Sequence, residues 1–369
     1  VAKNSNLGNA KKAKQDEFYT QWADIEKEMN AYLDYDPDVF RGKTILLPCD
    51  DPEWSNFTKY FALRFQDFGI KKLISTSYAP RSNMDGAFYS PQPTLFDDPN
   101  FDESKDFERG KLFILDGTDV NNDGRVNIED FEWTYLNGDG DFRSEEVTKL
   151  RDEADMVITN PPFSLFRDFL AWLVEGDLEF SIIGNMNAVT YKDVFPLFRD
   201  NKIWYGQSIH SGDREFRVPD SYPLDAAGYR TDDEGNNYIR VKGVRWFTNI
   251  QHGRRHEPLP LMTMEDNKRY NKKIIKNEKS YETYDNYDAI EIPVTDGIPS
   301  DFEGVMGVPI SFLDKYNPDQ FEILGLAAGN IRGLAGIKSL NGKDGPYMDG
   351  KLKYGRIMIQ HKPETEKEA

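Results

Sequence analysis

Asn160-Pro161-Pro162-Phe163 is the run in this sequence whose residue types suit a definite chemistry. It follows the apolar stretch DMVIT (155–159) directly, and Phe166, Phe169, Leu170 and Leu173 then recur at helical spacing. A turn between the C-terminal end of a parallel strand and a helix is where open α/β sheets bind ligands. An exocyclic amino group on a purine is a poor nucleophile, because its lone pair is delocalised into the ring. Two acceptors aimed at its hydrogens draw the nitrogen towards a tetrahedral, nucleophilic geometry. The Asn160 side-chain oxygen suits one acceptor role and the Pro161 carbonyl the other, with the two prolines stiffening that carbonyl's direction. Phe163 offers a flat face for an extruded base, a contact worth about 1–3 kcal/mol. Methyl transfer from a sulfonium is a direct displacement, and it needs in-line positioning more than a strong base. Taken alone, the four residues are equally a proline turn; the strand before and the helix after give them weight.

The elements that must hold this turn are legible around it. Trp22, Ile25, Met29 and Leu33 predict a helix from Thr20 to about Leu33. TILLPC (44–49) reads as a buried strand, 56–68 as a helix carrying Phe57, Tyr60, Phe61, Arg64 and Phe65, and KKLISTSY (71–78) as a second strand. This β-α-β unit predicts an α/β fold with a parallel sheet. Further strands are expected at LFIL (112–115), EFSIIGN (179–185) and the terminal KYGRIMIQHK (353–362). KIWYG (202–206) and VRWFTN (244–249) are expected to pair as a hairpin. Residues 3–14 read as a polar, basic arm, and a Pro-, Asp- and Gly-rich excursion reads as an acidic insertion at about 80–140.

Composition sets limits on function. The 369 residues are 38% hydrophobic and 30% charged, with no apolar run near the ~20 residues of a membrane span. The start shows no cationic stretch followed by an apolar one, so no secretory signal is read. Cys49, the single cysteine, excludes an intrachain disulfide and a multi-cysteine zinc site and fits a cytoplasmic location. The net charge of −18 runs against nucleic-acid binding until it is divided along the chain. Residues 81–160 hold 20 acidic and 8 basic side chains, whereas residues 201–280 hold 11 acidic and 15 basic. Local charge, not the total, governs phosphate contact.

Six blocks occur in order: DEFYT (16–20), CDDPEWSNFTKYF (49–61), GDGDFRS (138–144), VITNPPFSLFRDF (157–169), IIGNMNA (182–188) and RWFTN (245–249). With these blocks the chain resembles the EcoRI-type adenine-specific DNA methyltransferase family. The resemblance implies a Rossmann-like class I S-adenosylmethionine methyltransferase sheet over 1–250 and a C-terminal DNA-recognition region over 251–369. It assigns Asn160, Pro161, Pro162 and Phe163 to catalysis on a flipped adenine, yielding N6-methyladenine. It places Phe18, Tyr19 and Thr20 at the methionine end of the donor and Cys49, Asp50 and Asp51 at the end of the first strand. Thr76 or Ser77 would lie near the donor ribose, with Asp141 and Phe142 flanking its adenine. The generic Gly-rich donor loop is replaced by CDDPEWSN, as in this family. Arg214, Arg217, Arg240, Arg245, Arg254, Arg255 and the lysines near 268–279 are candidate phosphate or base contacts with double-stranded DNA. A monomer is expected, with a cognate restriction endonuclease acting on the same site as its partner in restriction-modification.

DVNNDGRVNIED (119–130) points elsewhere. Asp119, Asn121, Asp123, Arg125 (through its carbonyl), Asn127 and Asp130 fall at liganding positions of an EF-hand-type loop, with Gly124 at the sharp turn. The expectation is structural calcium; the bland alternative is an Asx-rich surface turn. Gly42-Lys43-Thr44 resembles the end of a phosphate-binding loop, but Pro37 stands where its upstream glycine is required. His252 and His256 have metal-like spacing without further ligands nearby in sequence. Other substrates remain open for the same turn: a cytosine amino group, an RNA base or a protein glutamine. A decayed, DNA-binding module is a further alternative.

Overall fold

The computed structural model describes residues 19–48, 50–52, 55–79, 100–210, 213–218, 228–277, 281–328 and 345–363. Phe18 and Cys49, both expected at the donor, lie outside the described residues, as do the basic arm and residues 80–99. The chain forms two compact units: Val1–Met186 with Gly206–Gln251, and Asn187–Tyr205 with His252–Ala369.

The first unit is mixed α/β. Its strands are β1 (Thr44–Leu47), β2 (Lys72–Ser77), β3 (Lys111–Leu115), β4 (Glu132–Tyr135), β5 (Met156–Thr159) and β6 (Glu179–Asn185). After β7 (Trp204–Tyr205), which belongs to the second unit, come β8 (Asp213–Val218), β9 (Arg230–Thr231), β10 (Asn237–Lys242) and β11 (Val244–Thr248). Seven strands of the large sheet follow the order β4-β3-β2-β1-β5-β6-β11. β2, β1, β5 and β6 run parallel. The flanking strands β3, β4 and β11 are antiparallel. Every residue of β1 and β5 is buried, as befits strands covered on both faces.

Helix Trp22–Tyr35 buries Ile25, Met29 and Tyr32. It also buries Glu28, which accepts the backbone N–H groups of Gln207 (3.0 Å) and Ser208 (2.7 Å). Gly206 has to lack a side chain, because a Cβ there would collide with that carboxylate. Helix Asn56–Leu63 opens on Ser55, whose hydroxyl accepts from Phe57 N–H and Thr58 N–H. It ends earlier than the expected residue 68. Phe65 N–H already bonds three residues back to Ala62, and Gly69 then takes a positive φ of 63°.

β3 and β4, within the expected insertion, extend the sheet from β2. The 119–130 loop between them is organised by its own amides. Asp119 accepts from Asp123 N–H (3.1 Å) and Gly124 N–H (2.8 Å). Buried Asp130 accepts from Val120 (2.8 Å), Asn121 (3.3 Å) and Asn127 (2.9 Å). Gly124 does take the left-handed turn, at φ 87°. Among the described residues no group of three or more His, Cys, Asp or Glu is arranged to hold a metal ion. The calcium expectation is therefore not supported, and the side chains act as the acceptors of Asx turns.

In the second unit, β12 (Thr283–Tyr284), β13 (Tyr287–Glu291), β14 (Met306–Pro309), β15 (Phe321–Ala327) and β18 (Arg356–His361) form a sheet ordered β12-β13-β14-β18-β15. The two-residue strands β16 (Tyr347–Met348) and β17 (Lys351–Leu352) pair separately. Buried Glu291 takes an ion pair from Arg356 at 2.6 Å. No helix among the described residues is long and apolar enough to cross a membrane.

Replacing Asp130 with alanine leaves three loop amides without their acceptor. The expected loss is about 1–3 kcal/mol. Urea denaturation together with amide exchange at Val120, Asn121 and Asn127 would show it, and unchanged exchange at all three would refute the assignment.

Candidate active site at the strand ends

The C-terminal ends of β1, β2 and β5 meet around one carboxyl group. Asp50, two residues after Pro48 ends the first strand segment, donates its N–H to Thr76 O at 2.7 Å. Its carbonyl accepts from Thr58 Oγ1 at 2.8 Å and also from Ser75 Oγ. The carboxyl takes a bond from Ser55 Oγ at 2.7 Å on one oxygen and lies 2.6 Å from Thr159 Oγ1 on the other. Burial pushes this carboxyl from its ordinary 3.8 up to about 7, against the lowering effect of the Thr159 and Ser55 bonds; nearby Asp51 raises it further.

Thr76 and Ser77 end β2 and are buried. Ser77 Oγ accepts from Lys111 N–H at 3.3 Å. Two glycines press on the Ser77 carbonyl: a Cβ on Gly110 or on Gly140 would collide with it, and Gly140 also has φ 88°. The GDGDFRS block thus reaches the end of β2 through backbone contact.

Asn160 follows β5, with its side-chain oxygen buried, and Pro161 and Pro162 are buried behind it. Pro162 O accepts from Leu165 N–H at 2.9 Å, which closes the short turn Phe163–Leu165 ahead of helix Phe166–Glu175. Gly184 of β6 leaves room for the Phe166 ring, which a Cβ would strike. Phe163 is half-buried and meets Phe216 of β8 edge-on, with ring centres 6.3 Å apart.

The next residue of β8, Arg217, exchanges two backbone hydrogen bonds with Tyr19, at 3.0 and 3.1 Å. Thr20 O accepts from Asn56 Nδ2 at 2.8 Å. Thr20 Oγ1 is buried and has no hydrogen-bond partner among the described residues. A buried hydroxyl of this kind is costly unless a ligand completes it. Tyr19 and Thr20, the Asp50 turn and the Asn160–Phe163 turn are thereby gathered in one unit, and a polar ligand fits the unmet group at Thr20.

Other expected residues stand elsewhere. Phe142 is fully buried, 4.9 Å from the ring of Phe169 and 5.6 Å from that of Trp172. It is a core residue and presents no face to a donor. Asp141 is engaged by Arg143, whose hydrogen bond holds its carboxyl below the ordinary value. Half-buried Asp51 accepts Ser55 N–H on its carbonyl at 2.7 Å. Arg245 is buried and donates to Val244 O (2.8 Å) and His210 O (3.0 Å). Arg255 is buried too, 3.5 Å over the Trp204 ring and bonded to Asn201. These two arginines brace the fold, which corrects their expected role at DNA. Arg214 pairs with Asp24 at 3.6 Å. Arg217 and Arg240 are exposed and Arg254 is half-exposed. Sequence reasoning missed Ser55, Thr159 and Phe216. Ser55 was recognisable as a helix cap, while Phe216 carried no signal.

A mixed sheet with a parallel centre, carrying a polar-proline-proline-aromatic turn at the end of one strand and a polar turn at the end of its neighbour, fits an amino-group methyltransferase. The family model for the adenine-specific methyltransferase EcoRI matches residues 6–362. The chain is 40% identical to the type II methyltransferase M.EcoRI of Escherichia coli over 361 residues, covering 98% of each chain. It is 32% identical to M.MpnI of Mycoplasma pneumoniae, covering 96% of this chain and 98% of that one, and 32% identical to M.MgeORF184P of Mycoplasma genitalium over the same shares. No solved structure matches. The chain belongs to the EcoRI adenine-specific methyltransferase family. It is a DNA adenine methyltransferase, and S-adenosylmethionine is the usual methyl donor of that family.

The raised Asp50 pKa has a signed consequence for stability. Between about pH 4 and 7 the folded protein keeps a proton that the unfolded chain has released, so stability falls as pH rises through that window and then levels. Asp50→Asn should remove this component. Paired urea titrations at several pH values check it, and identical pH profiles for the two proteins would contradict it.

Proposed function

We propose that the chain methylates the N6 amino group of one adenine that it flips out of duplex DNA, within a defined target sequence. The observation that carries this reading is the placement of Asn160-Pro161-Pro162-Phe163 at the end of β5, beside the Asp50 turn at the end of β1. Asn160 Oδ1 and the Pro161 carbonyl accept the two amino hydrogens and raise the nitrogen's nucleophilicity. Phe163, braced by Phe216, stacks on the extruded base. When bound, S-adenosylmethionine supplies an electrophilic methyl group. Tyr19, Thr20, Asp50, Asp51, Thr76 and Ser77 would hold it, with Thr20 Oγ1 completing its hydrogen bonding there. In this reading the first unit is a Rossmann-like class I sheet, a reading supported by its parallel strands β2, β1, β5 and β6.

The second unit is the target-recognition region in this reading. Its lysines and arginines at 268–276 are exposed, and exposed Arg217 and Arg240 add positive charge to the first unit. These side chains contact phosphates, which offsets the overall −18 where it matters. The protein acts as a monomer in the cytoplasm, as the modification partner of an endonuclease that cuts the same site.

Asn160→Ala should lower methyl transfer to duplex DNA about 100- to 1,000-fold, the loss typical of one well-placed hydrogen-bonding group in a reacting site. Donor binding measured by calorimetry should survive. Nucleoside mass spectrometry of the parent reaction should place the label in N6-methyladenine. An unaltered rate in the variant would remove Asn160 from catalysis.

A further inference from the structure

The backbone ladder between β1 and β5 stops short of the site. Its registered partners are Ile45 with Met156 and Leu46 with Val157. Two residues further on, the same register sets Pro48 opposite Thr159. Pro48 has no N–H, so it cannot donate to a continued ladder. In its place, the Thr159 hydroxyl lies 3.1 Å from Pro48 O and 2.6 Å from Asp50 Oδ2.

Shape does not require threonine here. β5 is otherwise Met156, Val157 and Ile158, and valine has nearly the same outline and an equal preference for strands. Thr159 is fully buried, so its hydroxyl carries a desolvation cost that only its hydrogen bonds offset. The remaining bonds of the Asp50 turn run to β2 and to the start of helix Asn56–Leu63, through Thr76, Ser75, Thr58 and Ser55. They stiffen the donor side internally. Thr159 carries the connection across to the strand whose next residue is Asn160.

We propose that Thr159 is a positioning residue whose hydroxyl fastens the catalytic turn beginning at Asn160 to Pro48 and Asp50 on the donor side. It sets the separation between the methyl donor and the two acceptors that orient the target amine. This rests on the roles given above to Asn160 and the Asp50 turn. Asn160→Ala is therefore measured in parallel: full activity in that variant sinks the underlying roles, whichever way Thr159 behaves.

The test compares Thr159→Val with Thr159→Ser. Displacing reacting groups by about an ångström costs on the order of 100-fold, so single-turnover methyl transfer in Thr159→Val should fall about 10- to 100-fold. Equilibrium binding of S-adenosylmethionine and of duplex DNA should each stay within about threefold, because contacts common to ground and transition states are kept. Thr159→Ser should recover most of the rate. A second readout needs no ligand: amide exchange at Asn160, Phe163 and Ser164 in the free protein should quicken in Thr159→Val and return in Thr159→Ser. Thr159→Ala serves if the valine variant does not fold. A parental rate in Thr159→Val would overturn the proposal. So would a rate loss matched by an equal loss of donor binding, or a serine variant that restores nothing. If neither the valine nor the alanine variant folds while the serine variant does, the hydroxyl is a folding determinant and the positioning role is likewise rejected.

Discussion

A single buried carboxyl, Asp50, organises the active edge of this sheet. It is bonded by hydroxyls from Ser55 and Thr159, the second of which lies 109 residues away in the chain. Each bond joins a different element to the end of β1: Ser55 the helix that starts there, Thr159 the strand that leads to Asn160. The neighbouring N–H and carbonyl of Asp50 do the same for β2. Parallel strands by themselves leave their ends free to splay, since the ladder holds only the residues it pairs. Burial keeps water from competing for these polar groups, and it is also what raises the Asp50 pKa.

The chemistry makes modest demands once this edge is fixed. Methyl transfer from a sulfonium requires no metal and no strong base, only an amine held in line with a departing sulfur. In the proposed reading the acceptors for the amine are on a turn with two buried prolines, and Phe163, which would receive the base, leans on Phe216. β8 carries Phe216 and Arg217 side by side, so one short strand meets both the Phe163 ring and the backbone of Tyr19.

Much of this was legible in the sequence, for identifiable reasons. β1, β2, β5 and β6 announced themselves as apolar runs because both faces of a parallel sheet are covered. The hairpin of β8 and β10 was missed. DREFRV and NYIRVK alternate charged with apolar residues, and an 18-residue connection separates them. The strand, turn and helix around Asn160–Phe163 were legible because they are contiguous in the chain. Phe142 misled because its burial depends on Phe169 and Trp172, which lie in a later helix. Arg245 misled because β11 is buried at all five positions, which local charge does not reveal. The EF-hand-like spacing was real as a pattern of Asx acceptors, but its oxygens answer the loop's own amides.

The central claim is that the donor lies against the ends of β1 and β2, between Thr20 and the Asp50 turn. The most direct measurement is a crystal structure of the protein with S-adenosylhomocysteine, the demethylated product of the donor. The account predicts the product at those strand ends, with the Thr20 hydroxyl hydrogen-bonded to it or to a water that it orders. Product bound elsewhere, or bound there with Thr20 still unpartnered, would contradict it.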